Sequence, residues 1–375
     1  MSSKYYRDMS PEEQREYRRK RRMRRKIKVL FNYFLVVLGI LLLIILFSKF
    51  LSKDTKTSKQ VENKPEDHTI NYELKVSKKD KHKTTKVESA DSKKKKKKKK
   101  EENLSFAANE TDSTVSINLE SVESPYAILI NSNTSEIVAS KNPKEKIYPA
   151  SMTKIMTVYT ASKHLSAEDL SKKVEISHEA VDYAYANDCS TSGFIEGEQV
   201  TVKDLFYGTI GPSGGDAAVQ LAMYVGKDLD TFVTMMNTEV KKLGLAESTH
   251  FTNPVGIYDD ANYSTVYDMA IILEAAMSDD VCKDVLSTKV YNSEPTNLNP
   301  EGITISNWFL RRIEDKDFGG EILGAKTGFV DQSKSCAASC ELSDNKNTYY
   351  CVTAGASSSW SCINNHVEIY KNYAK

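Results

Sequence analysis

Residues 29–51 read VLFNYFLVVLGILLLIILFSKFL, a run of 23 residues in which Lys49 carries the single charge. At about 1.5 Å rise per residue, a helix of this length crosses the ~30 Å hydrocarbon core of a bilayer. The run therefore predicts a transmembrane helix, and it forces everything before it and after it onto opposite sides of a membrane. A cleaved signal peptide would show an apolar run of about 7–15 residues followed by a small-x-small site. Here the exit reads Phe47-Ser48-Lys49-Phe50, so an uncleaved anchor is expected. Residues 15–28 hold ten Lys or Arg and residues 52–65 hold four. Positive flanks stay inside, so the N-terminus is expected in the cytoplasm and the remainder outside the cell.

Charge divides the chain in the same place. Residues 1–104 carry 31 Lys and Arg against 14 Asp and Glu, and the remainder carries 21 against 37. A near-neutral total thus hides a basic leader and an acidic globular part. Nucleic acid is excluded as a partner of the acidic part, because phosphate binding needs clustered Lys and Arg. Residues 52–104 are rich in Lys, Ser, Thr and Glu and include the eight-lysine run Lys93–Lys100. Such a segment buries too little apolar surface to offset its ordering entropy and is expected to be a disordered tether. The lysine run reads as solvated spacing, or as a patch attracted to anionic wall polymers, lipid headgroups or the acidic domain. The expected organisation is a cytoplasmic tail (1–28), an anchor (29–51), a linker (52–104) and one folded domain (105–375).

Within that domain, Tyr148-Pro149-Ala150-Ser151-Met152-Thr153-Lys154 places a hydroxyl and an amine three residues apart. If the segment opens a helix, both lie on one face and the amine reaches the hydroxyl. A deprotonated amine can then activate the serine for attack on a carbonyl. The same spacing recurs at Ser92/Lys95 and Ser343/Lys346, without apolar surroundings. Ser151 is set apart by its company further along the chain: Ser213-Gly214-Gly215, then Lys326-Thr327-Gly328. Read locally, Ser213 with Asp216 is an ordinary helix-capping box, a role compatible with facing a cleft.

Periodicity sets out the rest. Residues 125–130 and 136–140 read as two strands around a polar turn, and the helix opened by Ser151 buries Ile155, Met156 and Tyr159. Helices are expected over 217–224, over 231–243 with Gly244 as the stop, and over 265–277 with Ser264 as the cap. Residues 322–329, 335–342 and 349–356 read as strands and 361–373 as a closing helix. The fold class is α+β: one antiparallel sheet flanked by helices, with a mostly helical subdomain, preceded by the transmembrane helix.

The ordered motifs Ser151-x-x-Lys154, Ser213-Gly-Gly215 and Lys326-Thr327-Gly328 are a signature of penicillin-binding proteins and serine β-lactamases. From about Ser124 onward the chain resembles a D-alanyl-D-alanine carboxypeptidase of the low-molecular-mass penicillin-binding type. Further blocks carry the likeness: Glu196-Gly197-Glu198, Thr201 to Phe206, Met236-Asn237, and Thr252-Asn253-Pro254-Val255-Gly256. The resemblance implies that Ser151 is the nucleophile, Lys154 its general base and Ser213 part of the proton relay. It implies that Lys326 and Thr327 lie on an edge strand and hold the terminal carboxylate of a peptidoglycan stem peptide. Gly328 would admit the substrate backbone, and the N–H groups of Ser151 and Phe329 would form an oxyanion hole. β-Lactams would be covalent inhibitors, and no cofactor is implied. The chain departs from the family pattern at Gly215, where an asparagine is usual, and at Gln332-Ser333-Lys334-Ser335, where an Ala-Gly pair is usual. The extra C-terminal β-domain of some relatives is expected to be absent, and the N-terminal helix to replace their C-terminal tether.

Other chemistries compete with this reading. The six histidines form neither His-Glu-x-x-His nor a pairing with Cys-x-x-Cys, so no metal site is expected. No Gly-x-Ser-x-Gly elbow supports a Ser-His-Asp hydrolase. A serine β-lactamase would need a second base; Glu247 falls near the place but lacks an accompanying Leu-Asn. A wall-binding module without turnover is the other rival, because Gly215 removes a side chain from the site. Finally, a four-residue loop of Asp344 to Asn347 would set Cys340 opposite Cys351, within reach of a cross-strand disulfide. A loop one residue shorter would move the sulfurs out of register.

Overall fold

Tyr126–Asn131 (β2), buried without a break from Ala127 to Asn131, and Glu136–Lys141 (β3), in which Ile137 and Ala139 are the buried positions, form an antiparallel hairpin whose residues Ile128, Ile130 and Ile137 enter the larger core. A computed structural model describes residues 106–375; the tail, the expected membrane helix and the linker lie outside the described residues. No helix among the described residues is long and apolar enough to cross a membrane.

Val115–Ser116 (β1) adds to β3 in parallel, and the three C-terminal strands Gly320–Val330 (β8), Lys334–Ser343 (β9) and Thr348–Ala356 (β10) complete one sheet. Its order is β1-β3-β2-β10-β9-β8. The sheet is therefore mixed rather than purely antiparallel, and the parallel member is a two-residue strand at one edge. β8 is the other edge. Two short two-stranded antiparallel sheets lie outside this one, Lys173–Glu175 (β4) with Gln199–Thr201 (β5), and Val290–Asn292 (β6) with Thr304–Ser306 (β7).

Both faces of the sheet are covered, which explains the nearly unbroken burial along β9 and β10. One face packs on the larger core, where Ile128, Ile130, Cys340, Tyr350 and Val352 meet helices Thr153–His164 (α1) and Val266–Met277 (α6). That side also holds His178–Ala186 (α2), Val202–Ile210 (α3), Gly215–Gly226 (α4), Leu229–Lys242 (α5) and Asp280–Ser287 (α7). The opposite face, with Leu129, Ala325, Ala337 and Cys351, packs on Trp308–Ile313 (α8) and Ser359–Tyr373 (α9). There His366 sits fully buried, bonded to Ser339 Oγ at 2.7 Å and Thr353 Oγ1 at 3.1 Å.

Three local expectations change. The cap of α6 is Thr265, whose Oγ1 accepts from Asp268 N at 2.9 Å; Ser264 instead bridges to Ile147 and bonds Thr249. Helix α5 starts two residues early because Asp228 caps it, accepting from Thr231 N at 2.7 Å. The β9–β10 loop is one residue shorter than the disulfide required. Ser343 N donates to Asn347 O at 3.0 Å, and Lys346, at φ 69°, takes the left-handed position that closes a three-residue hairpin loop. Cys340 consequently faces Tyr350 and Cys351 faces Ser339, on opposite sides of the sheet. No disulfide joins any two of the six cysteines.

Candidate active site

Ser151 does not start a regular α-helix. It lies in a single tight turn, Ala150–Met152, that leads directly into α1. Ala150 preceding it has φ 48°, an uncommon conformation for a residue with a β-carbon. The turn is held from outside by Gly256, at φ 79°, where an added β-carbon would fall 1.8 Å from Ala150 O. Only glycine allows this approach.

Lys154, one turn on, is 1% exposed, and its Nζ lies 3.0 Å from Ser151 Oγ and 2.7 Å from the Val255 carbonyl oxygen. Burial disfavours the ammonium and pulls this amine down to about 8, against smaller opposing effects of Cys189 and Asp216. The Val255 carbonyl is aimed by Asn253, whose Oδ1 accepts from the N–H groups of Val255, Gly256 and Ile257 at 3.2, 2.7 and 3.2 Å. Asn237 fastens the base of the same loop, with Nδ2 donating to Phe251 O at 2.8 Å and Oδ1 accepting from Phe251 N at 3.0 Å. Asn237, Asn253 and Val255 were visible in the sequence only as parts of matching blocks. Their work is to orient the lysine.

Ser213 is also strained, at φ 63°, and its hydroxyl accepts from Lys326 Nζ at 2.9 Å. The capping box expected from Ser213 and Asp216 does not form. Gly214 precedes α4 without a side-chain cap, and Asp216 turns instead to Ser192, accepting from its N at 2.8 Å and its Oγ at 3.0 Å. The left-handed backbone at Ser213 directs its side chain to the cleft rather than back to the helix. Lys326, 1% exposed, also donates to Thr327 O at 2.6 Å, and burial, with Lys154 nearby, holds its amine well below its usual value.

β8 is the free edge of the sheet, as expected for the strand bearing Lys326 and Thr327. Gly328 faces Ser151: a β-carbon there would lie 3.0 Å from Ser151 N and 2.8 Å from Cys336 Sγ. Phe329 comes next, 58% exposed. Ser151, Lys154, Ser213, Thr327, Gly328 and Phe329 thus line one cleft of about 580 Å³, with the Lys326 amine behind Ser213. All seven sequence-predicted residues converge.

The departure at Gly215 has a steric cause. A β-carbon on Gly215 would meet Cys189 Cβ at 2.5 Å and Cys189 Sγ at 3.0 Å. Cys189 lines the same cleft, so a side chain from the neighbouring loop fills room next to the position left bare in the motif. Nothing in the local sequence around Cys189 announces this. Glu247, by contrast, is exposed and does not line the cleft.

Comparison with known proteins agrees with this geometry. D-alanyl-D-alanine carboxypeptidase DacF of Bacillus subtilis is 32% identical over 238 residues, 63% of this chain and 58% of its own length. The D-alanyl-D-alanine carboxypeptidase of Streptomyces strain K15 is 32% identical over 236 residues, covering 61% and 79% respectively. The chain thus spans a little over half the length of the Bacillus relative. The crystal structure of the Streptomyces K15 DD-transpeptidase superposes with a TM-score of 0.60 at 28% identity, over 67% of this chain and 97% of that one. Penicillin binding protein 5 from Haemophilus influenzae gives 0.58 at 28% identity, over 66% and 70%. A family model described as D-alanyl-D-alanine carboxypeptidase matches residues 109–357, the stretch that builds the sheet, the helical block and all seven of the sequence-predicted site residues, and the chain belongs to that family.

Proposed function

We propose that this protein is a serine-type D-alanyl-D-alanine carboxypeptidase that removes the terminal D-alanine of peptidoglycan stem pentapeptides through an acyl-Ser151 intermediate. The observation that carries the reading is the 3.0 Å contact between Ser151 Oγ and the buried amine of Lys154. An amine lowered to about 8 is partly neutral near pH 7 and can take the serine proton. Oγ then attacks the carbonyl of the penultimate residue. The N–H groups of Ser151 and Phe329 receive the developing oxyanion, and the leaving amine collects its proton through Ser213. Water, activated by the same lysine, hydrolyses the ester. Lys326 and Thr327 hold the substrate carboxylate, and β-lactams acylate Ser151 in place of the peptide.

In the same reading, residues 29–51 anchor the chain with its N-terminus in the cytoplasm, and the tether 52–104 presents the domain to the wall. The length and apolar character of that run, with its positive inner flank, support this.

Labelled penicillin tests the reading. Ser151 should acylate and release the label slowly. Fast release would indicate a β-lactamase, against which stands the absence of Glu247 from the cleft. No label would indicate a binding module, against which stands the filling of the space beside Gly215 by Cys189.

A further inference from the structure

Two consecutive peptide units of the loop 252–257 bridge Asn253 to helix α1. In a trans peptide the N–H and the C=O point in opposite directions, so a unit held at one end is aimed at the other. The unit between Pro254 and Val255 gives its N–H to Asn253 Oδ1 at 3.2 Å, and its carbonyl accepts from Thr157 Oγ1 at 2.7 Å. The unit between Val255 and Gly256 gives its N–H to the same Oδ1 at 2.7 Å, and its carbonyl accepts from Lys154 Nζ at 2.7 Å. Asn253 Nδ2 closes the array by donating to Ile257 O at 3.2 Å. All of it is buried: Asn253 is 6% exposed, and Val255, Thr157 and Lys154 are nearly inaccessible. One amide oxygen thus stands behind two carbonyls that meet side chains one turn apart on α1.

The array reaches the charge state of the amine as well as its direction. A carbonyl oxygen only accepts, so one N–H of Lys154 points at Val255 whether the amine is charged or neutral. In the neutral amine this leaves the lone pair to face Ser151 Oγ, 3.0 Å away. A hydrogen bond to a carbonyl is stronger from an ammonium than from an amine, so the Val255 carbonyl favours the charged form and opposes burial. Hydrogen bonds in series polarise one another, so the charge carried at position 253 is felt at Nζ through a single peptide unit. The titratable groups that face the amine from other elements are Asp216 on α4, Cys189 on the loop after α2 and Lys326 on β8. The loop 252–257, Thr-Asn-Pro-Val-Gly-Ile, contributes none. We propose that Asn253 is a positioning residue that, through the Val255–Gly256 peptide, turns the Lys154 lone pair to Ser151 and sets the pH at which that amine becomes a base. The proposal rests on the acyl-Ser151 reading and deepens it: position 253 must offer an acceptor oxygen and must be uncharged.

The test follows acylation of the full chain in detergent by a chromogenic penicillin, in stopped flow from pH 5 to 10. Asn253→Asp keeps an acceptor for the three N–H groups, which hold it ionised, and adds one negative charge behind Val255. Its inflection should lie about one pH unit or more above that of the wild type, with a plateau at high pH within about threefold of wild type. Asn253→Ala removes the acceptor and should lower the plateau about tenfold or more, the scale of a misdirected base. Thr157→Val releases the neighbouring Pro254 carbonyl and leaves the Lys154 contact in place, so it should lower stability without moving the inflection. Circular dichroism and urea unfolding of the same samples report folding, and Asn253→Asp carries the test if Asn253→Ala does not fold. An inflection in Asn253→Asp equal to that of the wild type overturns the proposal. So does a Thr157→Val variant that shifts as far, or an Asn253→Asp chain that does not fold, because each leaves Asn253 with a structural role alone. A wild type that is not acylated, or whose acylation does not titrate, overturns the underlying reading, and the wild-type profile alone distinguishes that case.

Discussion

Gly215 and Cys189 share one volume: a β-carbon added at Gly215 would fall 2.5 Å from Cys189 Cβ. The cysteine side chain therefore occupies the room that a side chain at Gly215 would need. Gly215→Asn alone should lower penicillin acylation by about tenfold or more, since overpacking of this kind costs about 1–3 kcal/mol and displaces the cleft wall. Gly215→Asn with Cys189→Gly should recover most of the lost rate. A double variant no faster than the single one would show that the two side chains are not interchangeable.

Lys154 should set the pH dependence of acylation. In the proposed mechanism its neutral form is the base, so the rate should climb with pH, about tenfold per unit on the acid side, and level off above about 8. Lys154→Ala should lose at least ~10² in acylation and lose the inflection. A stopped-flow profile with a chromogenic penicillin reads both, and a flat profile in the wild type would remove the lysine from this role.

Glu341 is fully buried in β9 with neither carboxylate oxygen bonded among the described residues, and burial raises its carboxyl to about 8. The folded state then holds the proton more tightly than the unfolded one. Its contribution is complete below about pH 4.5 and is lost progressively as pH rises toward 8, with a slope near 1.4 kcal/mol per unit. Glu341→Gln should flatten that slope in urea unfolding measured from pH 5 to 8. An unchanged slope would mean that the carboxylate is solvated.

His366 works in the opposite direction. Burial lowers its imidazole to about 3, so its share of stability is present above about 6.5 and is lost as pH falls toward 3. Between pH 7 and pH 5 the loss should be about 2 kcal/mol. His366→Gln, which keeps a hydrogen-bonding side chain between Ser339 and Thr353, should lower stability at pH 7 and remove the acid slope. Persistence of the slope would assign it to other groups.

Gly328 is tested by size alone. Gly328→Ala should cut acylation by about 10² or more, because the new methyl would press on Ser151 N at 3.0 Å and occupy the path of the substrate backbone. Wild-type acylation by this variant would show that β8 and the nucleophile are further apart in solution.

Much of the site was legible because its chemistry is local. Ser151 and Lys154 are one turn apart, and Lys326, Thr327 and Gly328 are consecutive on an edge strand. The features that escaped reading depend on distant partners. The capping inference for Ser213 failed because Asp216 is claimed by Ser192, 24 positions earlier in the chain. The Cys340–Cys351 pairing failed over a single loop residue, since Lys346 accepts the left-handed conformation without being glycine. Helix α2 and helix α8 carry weak periodicity over nine and six residues, and packing rather than pattern defines them. Strand β1 consists of two exposed residues and has no signature of its own.

The separation of Cys340 and Cys351 onto opposite faces of the sheet has a consequence for where the domain can work. Five of the six sulfurs are buried, and the fold rests on apolar packing across two layers rather than on covalent crosslinks. Its architecture is accordingly indifferent to the ambient redox potential, and the domain can fold alike in oxidising and reducing surroundings.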